Sequence, residues 1–125
     1  MAKVLIVEDD KILSNMYRVK FTNAGHQVAL AENGEEGIAK MEAVHPDLVL
    51  MDLMMPVMDG FTAIARIQEN PTLKTVPIIV LTNLSMAEDA KKAIEMGAKD
   101  YIIKSDLTPA QVLEKTQKFL PPGSP

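Results

Sequence analysis

Leu48-Val49-Leu50-Met51-Asp52 is a run of four apolar residues closed by a carboxylate. Val4-Leu5-Ile6-Val7 repeats the design and closes on Glu8-Asp9-Asp10, while Pro77-Ile78-Ile79-Val80-Leu81 closes on Thr82. Apolar runs this short and this continuous read as strands covered on both faces of a parallel sheet. Residues 28–30 and 101–103 are shorter runs with polar flanks, which suits the edges of that sheet. The second of them closes on Lys104.

Five helix patterns fill the gaps. The first starts near Lys11 and stops at Gly25, a residue suited to a left-handed cap. Asn33-Gly34 opens the second, which ends before His45-Pro46 because the residue ahead of a proline is driven out of the helical region. The third follows Asp59-Gly60 and ends at Asn70-Pro71, and the fourth runs from about Met86 to Gly97. Thr108 and Pro109 make an N-cap and first turn for the fifth. Its Val112, Leu113, Thr116, Phe119 and Leu120 keep one face for the sheet. Five strands alternating with five helices predict an α/β fold, a (βα)5 three-layer sandwich. Right-handed crossovers and the two edge-like strands favour the parallel sheet order 2-1-3-4-5, with its switch point between strands one and three.

Composition narrows the function. A chain of 125 residues, 47% hydrophobic, has the size and the apolar content of one globular domain. With no cysteine there is neither a disulfide framework nor a thiolate metal site, and no apolar run reaches the ~20 residues that span a bilayer. Met1-Ala2-Lys3 leads into the first strand without a signal-peptide pattern. A cytoplasmic protein with no membrane partner is therefore expected. Thirteen Lys and Arg against 17 Asp and Glu give a net charge of −4, which argues against direct nucleic-acid binding. The nine methionines read as adaptable core filler. The domain is expected over residues 1–120, with residues 121–125 a tail or linker remnant.

Ligands of open α/β sheets bind at the carboxyl ends of the strands. Neighbouring strands lie about 4.8 Å apart, so the carboxylates of strands one and three should converge. At 4 Å and an effective dielectric near 20, one such pair repels by about 4 kcal/mol. A bound cation relieves that repulsion, and hard oxygen donors without sulfur or imidazole suit Mg²⁺. Lys104 would neutralise charge and Thr82 would donate a hydrogen bond to a phosphoryl oxygen. That set suits phosphoryl transfer onto a carboxylate, which needs positioning and charge relief above all. Each residue taken singly has a plainer reading. Asp10 reads as a helix cap ahead of a metal ligand, Thr82 as a turn residue and Lys104 as a solvated cation. His26 and His45 read as surface residues, and Asp47 and Asp59 as turn formers.

Together, Val4-Leu-Ile-Val-Glu-Asp-Asp10, Asp52-Leu-Met-Met-Pro-Val-Met-Asp-Gly60, Leu81-Thr82 and Gly97-Ala-Lys-Asp-Tyr-Ile-Ile-Lys104 resemble the receiver domain of bacterial two-component response regulators. The likeness runs from about Ala2 to Leu120, and the Asp-x-x-Met-Pro-x-Met-Asp-Gly stretch is its most specific part. The resemblance implies a flavodoxin-like fold and a phosphorelay switch. Asp52 would be the phospho-acceptor, taking its phosphoryl group from a phosphohistidine on a sensor histidine kinase or phosphotransfer protein. Asp9 and Asp52 would ligate Mg²⁺ directly, Glu8 largely through water, and Met54 through its backbone carbonyl. Thr82 would move toward the phosphoryl group, Tyr101 would rotate inward with it, and Lys104 would pair with the phosphoryl oxygens.

The chain departs from that pattern in three places. Ser105 follows Lys104 where the family usually has proline, so the peptide is either trans in a reshaped loop or cis at a cost of about 3 kcal/mol. Asn83 stands at a usually small position, and Leu84 and Met54 put apolar bulk beside the site; together they suggest a long-lived aspartyl phosphate. Two surfaces invite partners. Helix one carries Ile12, Leu13, Met16, Tyr17, Val19 and Phe21, more apolar residues than one buried stripe needs, and Leu13 and Met16 are assigned to the kinase. On the helix four to helix five face, Lys91, Lys92, Glu95 and Lys99 would pair across a homodimer or simply be solvated. The rival functions are a phosphorylation-independent adaptor (a pseudo-receiver), a Mg²⁺-dependent aspartyl-nucleophile phosphohydrolase and an FMN carrier. Met54 stands where a phosphohydrolase has its second aspartate, and the acidic first loop is no phosphate cradle. The chain is therefore not expected to be an enzyme.

Overall fold

The computed structural model describes residues 2–83 and 87–121, leaving the Ala87 side chain aside. Leu84, Met86 and the last four residues of the tail lie outside the described residues. Five strands, β1 (Lys3–Val7), β2 (Gln27–Ala31), β3 (Leu48–Asp52), β4 (Ile78–Thr82) and β5 (Asp100–Ile103), form one parallel sheet in the order β2-β1-β3-β4-β5. The order and the two edge strands are those expected from the sequence. Between them run α1 (Lys11–Asn23), α2 (Gly34–Val44), α3 (Gly60–Gln68) and α4 (Ala87–Met96), with α5 (Pro109–Thr116) closing the fold.

Alternation divides each central strand between two cores. Leu5, Val7, Val49, Met51, Ile78 and Val80 face α2 and α3 with Met41, Ile64 and Ile67. Val4, Ile6, Leu48, Leu50, Ile79 and Leu81 face α1 and α5 with Tyr17, Phe21 and Val112. Because both faces are covered, β3 and β4 carry no polar residue until their last position, and β1 carries none between Lys3 at its start and Glu8 just past its end. That is the physical reason the apolar runs are continuous.

The caps follow the sequence closely. Asp10 Oδ1 accepts from the backbone N–H groups of Ile12 and Leu13, Asn33 from Glu36 and Asp59 from Thr62. Thr108 and Gln111 close a capping box. Asp47, read as a turn former, also ties the sheet, since its Oδ2 accepts from Lys3 N at 2.9 Å.

Three details differ from expectation. Helix α3 stops at Gln68, ahead of Asn70, whose side chain captures the Thr72 and Leu73 N–H groups and starts a turn of its own. Helix α5 ends at Thr116 and continues as a 3₁₀ turn over Gln117–Phe119, which still delivers Leu120 to the core. His26 is half-buried rather than a plain surface residue. Its Nδ1 accepts from Ala2 N at 3.2 Å, and burial followed by the chain's amino terminus lowers its pKa.

The loop between Asp52 and α3 is held tightly. Met58 N donates to Pro56 O at 2.7 Å, which closes a γ-turn on Val57 at φ +67°, an unusual conformation for a β-branched residue. Met58 O in turn accepts from Gly34 N at the start of α2. A Cβ on Gly60 would meet Asp52 O at 2.5 Å and the Leu53 Cα at 2.9 Å, so the first turn of α3 lies directly against the backbone of the strand end. Gly60→Ala is expected to destabilise the domain by about 1–3 kcal/mol through overpacking. Urea unfolding is the check, and an unchanged midpoint would contradict so close an approach.

Candidate functional site

Register and alternation put the site together. Val7 of β1 pairs with Met51 of β3, so Glu8 and Asp52 follow side by side. Asp52 pairs with Leu81 and Leu81 with Ile102, placing Lys104 one alternation beyond that row. Glu8, Asp52 and Lys104 therefore all fall on the α1/α5 side of the sheet. Thr82 and Tyr101 fall on the other side. Val80 pairs with Tyr101, and Thr82 lies two residues on from Val80.

The geometry is tight. Lys104 Nζ lies 2.7 Å from Asp52 Oδ2 and 2.6 Å from Glu8 Oε1. Glu8 and Asp52 are buried, whereas Asp9 is exposed. Glu8 Oε2 accepts from Asp10 N at 3.1 Å, and Asp52 Oδ1 from Met54 N at 3.3 Å. Among the described residues, Glu8 Oε1 is the buried side-chain oxygen without a well-directed hydrogen bond; its short approach to Lys104 is an ion contact.

Burial pushes the Glu8 carboxyl up to about 8. Lys104 pulls the other way, and the Asp52 charge adds to the rise. For Lys104, burial acts downward, but the bonds to Asp52 and Glu8 outweigh it and raise the pKa. Tyr17 sits under the site in the α1/α5 core, its hydroxyl pushed up to about 12 chiefly by burial.

One carboxylate oxygen each from Glu8, Asp9 and Asp52 lies within 4.8 Å of the others. Two oxygens on one Mg²⁺, each at about 2.1 Å, stand at most roughly 4.2 Å apart. A sub-ångström adjustment therefore fits the group to an all-oxygen hard cation, and exposed Asp9 leaves room for the waters Mg²⁺ retains.

The structure brings Glu8, Asp9, Asp52 and Lys104 together. Thr82 is buried at the end of β4, its hydroxyl donating to Asn83 O at 3.3 Å. Tyr101 is half-buried on edge strand β5. Met54 is 55% exposed beside Asp52. No cis peptide occurs among the described residues, so the Lys104–Ser105 bond is trans. On α1, Leu13 is half-buried against the core, while Met16 is exposed along with Ile12 and Val19. Sequence reading did not foresee the direct Glu8–Lys104 contact. A glutamate in place of a shorter acid is the one local signal of it.

A family profile described as the response regulator receiver domain matches residues 4–117. The chain belongs to that family. Protein PilH of Pseudomonas aeruginosa is 36% identical over 106 residues, covering 83% of this chain and 86% of PilH. The chemotaxis response regulator CheY4 of Vibrio cholerae superposes with a TM-score of 0.87 at 31% identity, covering 96% of this chain and 99% of that one. The DNA-binding dual master transcriptional regulator RpaA of Synechocystis is 34% identical over 104 residues, 83% of this chain. This receiver domain spans 43% of RpaA, less than half its length. No helix among the described residues is long and apolar enough to cross a membrane.

The Glu8 shift makes a pH prediction. Unfolded Glu8 ionises near its ordinary value of 4.5, whereas the folded domain keeps the proton to about 8. Its contribution to stability is therefore fully present below about 4.5 and lost as pH rises through about 8. In magnesium-free buffer, Glu8→Gln should gain stability on wild type between about pH 5 and about pH 8.5 by urea midpoints. Parallel curves would contradict it.

Proposed function

We propose that Asp52 accepts a phosphoryl group from a phosphohistidine on a sensor histidine kinase or phosphotransfer protein, in a Mg²⁺-dependent reaction that switches partner binding. One observation carries the reading: three carboxylates share one small volume at the switch point, and an ammonium lies 2.7 Å from Asp52.

In this reading a carboxylate oxygen of Asp52 forms the new bond to phosphorus as the P–N bond of the donor breaks, and the imidazole leaves. Glu8, Asp9, Asp52 and the Met54 carbonyl would hold Mg²⁺, which supplies charge neutralisation to the transferring group when bound. Lys104 turns from Asp52 Oδ2 to an oxygen of the phosphoryl group. Thr82 donates its hydroxyl to another, and Tyr101, on the same face as Thr82, follows. Asp10 stays a helix cap, because both of its roles on α1 are structural.

Phosphorylation with acetyl phosphate and Mg²⁺, followed by intact-protein mass, tests this. Wild type should gain one phosphoryl mass that Asp52→Asn or a chelator abolishes. No gain in wild type would favour the phosphorylation-independent adaptor. Asn83 and Met54, both exposed beside the site, support a long-lived phosphoryl group.

The donor is proposed to dock on α1, where Ile12, Met16 and Val19 form an exposed apolar stripe at helical spacing. Leu13, half-buried, contributes at the margin of that stripe. Met16→Lys is expected to slow transfer from a phosphohistidine donor about tenfold, the scale of one lost apolar anchor, while leaving acetyl phosphate reactivity unchanged. Equal slowing of both reactions would count against docking there.

A further inference from the structure

Tyr101 lies on β5, the free edge of the sheet, and is approached from both layers. Its ring packs partly against the core on the α3 side. From α5, on the opposite layer, Lys115 reaches around the edge. Lys115 Nζ donates to the Tyr101 backbone oxygen at 3.2 Å and lies 5.8 Å from the centroid of the Tyr101 ring.

The two contacts reinforce each other. A carbonyl of a strand cannot move without breaking the sheet, so the bond to it fixes where the ammonium sits. The ammonium then favours a ring that keeps its face within about 6 Å, the reach of a cation–π attraction. Lys92 over Phe61 and Lys118 over Phe119, each at 5.2 Å, are the other such pairs among the described residues. Of these three pairs among the described residues, Lys115 alone is also anchored to the backbone of the residue whose ring it covers.

We propose that Lys115 is a positioning residue for Tyr101, a strap that holds the ring in its half-exposed position and sets how readily it leaves. The proposal rests on the switch reading given above. At 5.8 Å the ring is already close to the limit of the attraction, so any inward rotation forfeits it. Loss of the cation should therefore favour the inward ring by about two- to fivefold, the population ratio that an exposed cation–π contact supports. Because Lys115 bonds to Tyr101 and not to the acidic group, the strap would tune the output without touching the phosphorylation chemistry.

The chain has two tyrosines and no tryptophan, so protein labelled with 3-fluorotyrosine gives one ¹⁹F resonance for each ring. Tyr101→Phe assigns them. Spectra are compared for wild type, Lys115→Met and Lys115→Arg, with and without beryllofluoride and Mg²⁺ as a phosphoryl mimic. Beryllofluoride is expected to move the wild-type Tyr101 resonance. Resting Lys115→Met should already lie part-way along that path, and Lys115→Arg should return to the wild-type position. If wild type responds but Lys115→Met superposes on it at rest, the strap is overturned and the switch stands. If Lys115→Arg behaves as Lys115→Met, a cation-based strap is overturned. A wild-type resonance that ignores beryllofluoride overturns the switch reading and the strap with it.

Discussion

Electrostatic repulsion among carboxylates that the sheet will not let apart is the constraint on which this domain turns. Glu8 and Asp52 end adjacent strands in fixed register, and Asp9 follows Glu8 along the chain. Backbone hydrogen bonds hold those strand ends in place, so the charges cannot relax by moving away. Lys104 and a proton that burial retains on Glu8 relieve the repulsion, and a bound cation would do the same. A site whose charge can be balanced in more than one way would suit the proposed gain and loss of a phosphoryl group.

Under the proposed switch, the sheet would also separate chemistry from readout. Glu8, Asp52 and Lys104 belong to the α1/α5 side, Thr82 and Tyr101 to the other, and both sets meet where β3, β4 and β5 end. Around Asp52 the backbone is closely held from the α3 side. Gly60 allows α3 to rest on Asp52 O, and the γ-turn at Val57 holds the loop that carries Met54. Tyr101, by contrast, lies on an edge strand and is only half-buried. A closely held Asp52 beside a half-exposed aromatic is the division of labour that the proposed switch would require.

Most of the fold was legible because a parallel sheet covered on both faces leaves no choice of residue until a strand ends. The run at Leu48–Met51 and the carboxylate after it are two consequences of that one rule. Caps were legible for a similarly local reason: Asp10, Asp59 and Thr108 act within three residues of themselves. What the sequence hid depends on distance and on side-chain length. The Glu8–Lys104 contact joins residues far apart in the chain. The His26 bond to Ala2 N and the reach of Lys115 around β5 are likewise non-local. The end of α5 was hidden for a different reason, since an apolar face at helical spacing fits a helix or a helix followed by a 3₁₀ turn equally well. At α3, a local competitor won, because the Asn70 side chain offers the backbone a turn in place of another helical bond.

The convergence of β1 and β3 acids on one cation is the claim most directly open to measurement. Substoichiometric Mn²⁺, added to ¹⁵N-labelled protein, broadens amide resonances in proportion to their closeness to the ion. Broadening is expected to begin at Glu8, Asp9, Asp52, Leu53 and Met54, with Lys104 close behind, and excess Mg²⁺ should reverse it. Broadening spread over exposed acids such as Glu32, Glu42 and Glu69, with the ends of β1 and β3 spared, would contradict it.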